Sequence, residues 1–381
     1  MADRGLKICV VTGIPPLNLL VLNFVKVLEP IVDRLVLITG NYPQKDVFSP
    51  KIKLINIGND GQERPMFVKI PRFLLLQLRA VYHLAKNMSR ARAVIFYLEG
   101  GTFLLPMLAA RLAGKNTVIV ATYSSSRIAK QLHKGSKQGM FLVTVTSVLE
   151  RLNYGLAARI VVYSPILVKQ FSLEKHRHKI SLAHEYFLDF HKFKIRKPLD
   201  QRDSLVGYIG RLSQEKGILN LMEAIPKVVQ AKDETTFLIG GDGPLRNKVE
   251  EYANKLGNKV KFVGWIPHDE LPDYLNELRL LVVPSYTETG PYIAFEAMAC
   301  GTPVLGTPVG LMADVLGDGE NGFIMENNSP ECIAKNIVRA INHPDLEQIA
   351  RNARALVERE FTHEAAVERY RKVLESLRQK N

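Results

Sequence analysis

Cysteine is scarce: Cys9, Cys300 and Cys332 are the only three among 381 residues, and none stands in a Cys-x-x-Cys spacing. That excludes a disulfide framework and a zinc knuckle, and leaves buried thiols in a reducing compartment as the expectation. Long apolar runs are missing too, since no stretch reaches the roughly 18 consecutive apolar residues of a spanning helix. The start, Met1-Ala2-Asp3-Arg4-Gly5-Leu6-Lys7, lacks the basic head, apolar stretch and small-residue cleavage site of a secretion signal. A cytoplasmic chain is expected. Acidic residues are in deficit, but only in one half. Residues 1–200 hold 30 Lys and Arg against 12 Asp and Glu, a net of +18; residues 201–381 hold 21 against 26, a net of −5. The overall +13 therefore conceals two halves expected to meet different partners.

What is present is ordinary for a globular protein: 46% hydrophobic and 23% charged residues, in a chain long enough for two domains. Short β-rich runs alternate with helically spaced segments. Strands are predicted at Ile8–Thr12, Leu35–Thr39, Ile52–Ile57, Ala93–Leu98, Thr117–Ala121 and Arg159–Tyr163. In the second half they are predicted at Leu205–Tyr208, Thr236–Ile239, Val260–Phe262, Leu280–Val283, Thr302–Leu305 and Phe323–Met325. Helices are predicted near Leu17–Leu28, Arg72–Lys86, Leu104–Leu112, Phe141–Asn153 and Glu364–Arg378. A further stripe, Ile218, Leu221, Met222, Ile225, Val228 and Val229, has clear helical spacing. The alternation predicts an α/β fold of two doubly wound halves, each a mostly parallel sheet flanked by helices. The charged, proline-containing Lys192–Asp203 is predicted to be the linker.

Three segments carry candidate chemistry. Gly210-Arg211-Leu212-Ser213-Gln214-Glu215-Lys216-Gly217 lies between a strand and the patterned helix, where two cations near a helix start suit a diphosphate. The alternative is a pair of solvated charges. Gly240-Gly241-Asp242-Gly243-Pro244 follows a strand and serves either a tight turn or close approach of a ligand. Pro284 to Val304 follows the apolar strand Leu280–Val283 and holds Glu288 and Glu296. If a helix begins near Pro291, Glu296 lies on its second turn and Glu288 in the loop before it. Both carboxylates then accept sugar or ribose hydroxyls, and the helix start at Tyr292 and Ile293 suits an anion. The plainer reading is an exposed loop carboxylate and a capped helix glutamate. No strand-to-helix turn offers Gly-x-Gly-x-x-Gly, which argues against an oxidoreductase.

Together these residues resemble the nucleotide-sugar domain of retaining family 4 glycosyltransferases, from about Leu205 to the end and including Asp318-Gly319-Glu320-Asn321-Gly322-Phe323. The resemblance implies the GT-B fold, two facing Rossmann-like domains. It implies an acceptor-side domain over 1–195, a nucleotide-sugar domain over 196–361, and a C-terminal helix, 362–381, packing back toward the first domain. It also implies roles. Arg211 and Lys216 would clamp the donor diphosphate and replace a metal, Glu288 would hold donor-sugar hydroxyls, and Glu296 the ribose. Gly290, Pro291, Tyr292 and Ile293 would make backbone contacts, with Gly210 and Gly13 lining the donor. The donor would be a UDP- or GDP-sugar, with neither cofactor nor metal. The first half departs from the family: Thr12-Gly13-Ile14 keeps one glycine of a Gly-Gly loop, and Tyr123 stands nearest the usual histidine. Glu99, at another strand end, is the second acceptor-side candidate. His184 and Glu185 occupy a junction where the family often has Asn-Gly.

The excess positive charge lies beside apolar groups, in Phe67–Arg79 and Arg127–Lys137. That combination predicts peripheral contact with the inner face of an anionic membrane, and a lipid-linked or glycan acceptor; the alternatives are a transferase acting on a soluble sugar acceptor, or a non-catalytic sugar-nucleotide-binding partner subunit. Nucleic acid is not expected as a partner, because no helix-turn-helix, RNP or finger pattern accompanies the charge. A basic face without a partner is the alternative.

Overall fold

A computed structural model describes residues 5–13, 19–40, 48–58, 66–122 and 137–377. The chain divides into two compact units, 1–185 with 366–381, and 186–365. In the first, strands β1 (Lys7–Val11), β2 (Arg34–Thr39), β3 (Ile52–Asn56), β4 (Ala93–Tyr97), β5 (Asn116–Val120), β6 (Arg159–Val162) and β7 (Ile180–Leu182) form one parallel sheet in the order β3-β2-β1-β4-β5-β6-β7. Its central strands read as unbroken apolar runs because both faces are covered; Ile8 to Val11 are fully buried. The helices are α1 (Leu19–Leu28), α2 (Met66–Asn87), α3 (Leu104–Leu112), α4 (Lys137–Leu156) and α5 (Pro165–Gln170). Helix α2 packs on α3 and α3 on α4, as right-handed crossovers toward β6 require.

The second unit has β8 (Leu205–Ile209), β9 (Thr236–Gly240), β10 (Val260–Gly264), β11 (Leu280–Val283), β12 (Val304–Gly306) and β13 (Phe323–Ile324), all parallel, in the order β10-β9-β8-β11-β12-β13. Its helices are α6 (Ile218–Ala231), α7 (Arg246–Leu256), α8 (Leu271–Glu277), α9 (Tyr292–Ala299), α10 (Met312–Val315), α11 (Pro330–Ile341) and α12 (Leu346–Glu360). The stripe Ile218, Leu221, Met222, Ile225 and Val228 of α6 is fully buried in a core shared with α11 and the sheet. The final helix, α13 (His363–Ser376), supplies Tyr370 to the first unit, edge-on to Phe24 with ring centroids 5.1 Å apart.

The expected α/β class, with two mostly parallel sheets, is borne out. Three expectations are corrected. Strand β7 follows the charged Glu174–Lys179 turn and is too short to register as an apolar run. The boundary falls between Glu185 and Tyr186, not 195 and 196, and the chain returns to the first unit at Ala366. Finally, Lys192–Asp203 is no linker but part of the second unit. The guanidinium of Arg202, 4% exposed, donates to the carbonyls of Lys197, Leu275, Leu278 and Cys300 and to the Thr302 hydroxyl. Burial lowers its pKa to about 10, so it stays charged at neutral pH. The neighbouring cations pair outward, Lys192 with Asp269 and Lys197 with Glu277. Cys9 and Cys300 are buried free thiols, pushed up to about 11 and about 12 by that burial, while Cys332 is half-buried.

Candidate active site

In an open parallel sheet, a crevice forms where the strand order reverses. In the second unit that point lies between β8 and β11, so the loops Gly210–Lys216 and Pro284–Pro291 flank it. The first of these is fixed by the loop after β9. Gly210 N–H donates to Gly240 O (3.0 Å) and Leu212 N–H to Asp242 O (2.8 Å). Gly241, at φ +134°, lies so close that a Cβ there would sit 1.8 Å from Gly210 O. The Gly-Asp-Gly-Pro turn is thus glycine-rich because its neighbour loop approaches it. A Cβ on Gly210 would make only ordinary contact with the Tyr208 ring and hydroxyl, so packing within the unit does not itself demand that glycine.

The cation-bearing turn ends at Gly217, φ +70°, where a Cβ would lie 2.0 Å from Pro284 O. That close approach, with Tyr286 N–H donating to Glu215 O (2.9 Å), joins the loop after β8 to the loop after β11. The outcome is an ion pair: Lys216 Nζ stands 2.5 Å from Glu288 Oε1. The same oxygen accepts from the buried Ser285 hydroxyl (2.9 Å). Among the described residues, Glu288 Oε2 has no hydrogen-bond partner. Arg211 is exposed, and its carbonyl accepts from the Tyr208 hydroxyl (2.8 Å). Burial, then the charges of Glu288 and Glu215, push that hydroxyl's pKa upward, so it remains a donor. Burial would also raise Glu215, but the Ser213 hydroxyl, its own backbone, Arg211 and Lys216 outweigh it and hold the carboxyl below its usual range.

Glu296 lies on the second turn of α9 and Glu288 in the loop before it, the placement their spacing implied. Glu296 is 5% exposed. Its Oε1 is 2.8 Å from His268 Nε2, and Lys192 Nζ is 2.8 Å from His268 Nδ1 and 2.7 Å from Asp269 Oδ1. An ammonium has only protons to give, so Nδ1 accepts, Nε2 carries the ring proton, and that proton is donated to Glu296. The imidazole thereby orients one carboxylate oxygen of Glu296. Sequence reasoning missed His268, although its position just beyond β10 was the available signal. Pro291 is buried and N-caps α9, with Tyr292 and Ile293 in the first turn. Gly290 has a role of its own: a Cβ there would fall 2.1 Å from the Tyr186 ring, which packs 4.1 Å from that of Tyr292.

The first unit's order reverses between β1 and β4. Gly13 is buried just beyond β1, and Glu99 lies just beyond β4 in a short 3₁₀ turn, Leu98–Thr102. Leu98 opens that turn at φ +53°, a left-handed conformation that costs a leucine on the order of 1 kcal/mol. Tyr123 and most of the basic run Arg127–Lys137 lie outside the described residues. Glu185 is fully buried at the unit's edge and accepts from the hydroxyls of Tyr97 (2.5 Å), Tyr163 and Tyr370 (3.4 Å).

Residues 189–375, which hold every element of the second site, match the family model of glycosyl transferases group 1. That match takes in just under half of the chain. The chain is 30% identical over 171 residues to an uncharacterized glycosyltransferase of Methanocaldococcus jannaschii, covering 45% of this chain and 47% of that protein. It is 31% identical over 142 residues to the 2-deoxystreptamine glucosyltransferase of Streptomyces kanamyceticus, covering 37% of each. The match thus spans less than half the length of these relatives. The fold extends further. Anabaena HepE, solved in complex with UDP, superposes with a TM-score of 0.74 at 18% identity, over 97% of this chain and all of that one. The resemblance to a glycosyltransferase group and the GT-B class of two Rossmann-like units are borne out.

Proposed function

We propose that the protein is a retaining glycosyltransferase that moves a sugar from a UDP- or GDP-sugar to a lipid-linked glycan or glycolipid at a membrane surface. The observation that carries this is the Lys216–Glu288 pair at the switch point of a group 1 domain, with Glu296 held by His268. Lys216 has two further N–H bonds for phosphate oxygens, and Arg211 offers a planar donor set beside them. In the transfer, the bond from the anomeric carbon to the diphosphate breaks and a bond to the acceptor oxygen forms on the same face. The acceptor's proton passes to the departing diphosphate. Arg211 and Lys216 stabilise the charge that grows on that group, and the Glu288 carboxylate holds the sugar while positive charge develops on it. The amides of Tyr292 and Ile293 at the α9 start suit the same phosphates, and Glu296 Oε2 suits the ribose. Glu99 and Tyr123 are the acceptor-side candidates.

Thermal unfolding of the full chain against UDP-, GDP- and ADP-sugars tests the donor, because a ligand bound only by the folded state raises the midpoint. A shift of several degrees with one UDP- or GDP-sugar is expected, followed by transfer in an assay with that donor; no shift with any of them would sink the reading. A soluble acceptor is the second reading, favoured by the aminocyclitol named for the Streptomyces relative. Transfer to a free aminocyclitol or sugar in the absence of lipid would select it.

His268→Ala is expected to raise the donor KM about tenfold with kcat nearly unchanged. The lost hydrogen bond orients a binding group rather than a reacting one, and one such bond is worth about 1.4 kcal/mol. His268→Gln, which still donates at a similar reach, should recover part of the loss.

A further inference from the structure

Among the described residues, twelve of the sixteen exposed large hydrophobic side chains lie on just three helices, α2, α3 and α4. On α2, Ile70, Leu74, Leu78 and Tyr82 recur every fourth residue, and each is about half exposed. Leu76, Ala80 and Leu84 of the same helix are buried, so the helix already has a satisfied inner face and the outer stripe is surplus to it. On α4, Phe141, Val145, Val148 and Leu152 follow the four-three-four spacing of one helix face; Phe141 is 55% exposed. Helix α3, packed between these two, adds Leu108 and Leu112, the latter 88% exposed. Three adjacent helices thus share one outward apolar face, and isolated exposed hydrophobics do not explain so concentrated a patch.

Charge decides what covers it. The three helices contain seven Lys and Arg, at 69, 72, 79, 86, 111, 137 and 151, and one acid, Glu150, which is buried. A second copy of the same face would bring like charge against like charge. Nucleic acid would answer the cations but not rows of Leu and Val. A bilayer surface with anionic headgroups answers both, taking the aliphatic stripe into its interface and the Arg and Lys heads at the phosphates. No helix among the described residues is long and apolar enough to cross a membrane, so the contact is one of lying on the surface.

We propose that the outer face of α2, α3 and α4 is a docking surface for an anionic lipid bilayer. It deepens the reading of a membrane-presented acceptor and rests on it for its purpose, though not for its test. The full chain is floated with vesicles of phosphatidylcholine containing a minor share of phosphatidylglycerol, and with phosphatidylcholine alone. Binding is expected only to the mixed vesicles, weakening as salt is raised. Leu78→Glu combined with Phe141→Glu, two exposed positions whose change is expected to leave thermal unfolding unaltered, should weaken binding by at least about tenfold. Arg111→Gln and Arg151→Gln should each weaken it by about fivefold. Wild-type protein that does not float, or floats as well after the two glutamates are introduced, overturns the proposal. So does a concentration-dependent dimer that the same pair of substitutions abolishes in the absence of any flotation. Turnover of donor with a soluble acceptor, measured without vesicles, should be the same in these variants. If flotation behaves as expected but no lipid-linked acceptor is glycosylated, the surface stands and the acceptor reading falls.

Discussion

Glu288→Ala is expected to lower glycosyl transfer by at least about a hundredfold, mostly in kcat, while the fold persists. The carboxylate is held in place on one oxygen by Lys216 at 2.5 Å and Ser285 at 2.9 Å, and its second oxygen has no partner among the described residues. Such an oxygen, fixed before the ligand arrives, needs no reorganisation when positive charge develops on the sugar, and groups of this kind are worth two to three orders of magnitude in rate. Alanine also strips the ammonium of its counter-charge, so Lys216 is left free to swing away from the phosphates. Glu288→Gln separates the two effects: an amide oxygen still accepts from Lys216 and Ser285, but an NH2 replaces the open acceptor and the charge is gone. It should fall nearly as far as alanine. Loss of the partly exposed Lys216 pair should cost less than about 1 kcal/mol of stability. The buried Ser285 hydroxyl's lost acceptor should cost about 1–3 kcal/mol more, in the alanine variant alone. A drop in rate shared by the glutamine variant, which keeps that acceptor, is therefore not a folding effect. Transfer within threefold of the wild type in either variant would remove Glu288 from the mechanism.

How far the sequence could be read depended on how local each feature was. Twelve strands were legible because parallel strands covered on both faces are written as short apolar runs, Leu280–Val283 being the plainest. Helix α2 extends six residues before Arg72, through Pro71, where the proline suggests a helix start. Lys192–Asp203 misled because a charged, proline-containing stretch reads as solvated, whereas Arg202 is buried among carbonyls supplied by Leu275, Leu278 and Cys300, all remote in sequence. The site divides the same way. Spacing alone placed Glu288 before a helix and Glu296 within it. It did not show that Lys216 reaches Glu288 across 72 positions, nor that Gly241 is glycine for the sake of Gly210. His268 and Lys192 join Glu296 only through loops that the topology of the sheet brings together.

The second large effect is one of stability, and it lies at Glu185. Glu185→Ala is expected to cost the first unit about 3 kcal/mol or more, since the hydroxyls of Tyr97 and Tyr163 would lose their acceptor in a fully buried place and a cavity would open between them. Burial raises the Glu185 carboxyl above its ordinary range, against the opposing pull of the three tyrosine hydroxyls. The Tyr97 hydroxyl is itself pushed up, by burial first and then by Glu185, and so remains a donor throughout. A carboxyl raised on folding binds its proton more tightly in the folded state than in the unfolded one. Its contribution is therefore full below the ordinary carboxylate pKa and is lost as pH rises through the raised value. Glu185→Gln keeps an oxygen for Tyr97 and Tyr163 but cannot ionise, so its stability should be flat over that same window. Hydrogen exchange at the amides of β4 and β6, followed from about pH 4.5 to neutrality and corrected for intrinsic rates, reads this unit separately from the other. The wild type should lose protection relative to the glutamine variant as pH rises; a difference that stays constant, or that grows in favour of the wild type, would show that Glu185 is held ionised by its tyrosines instead.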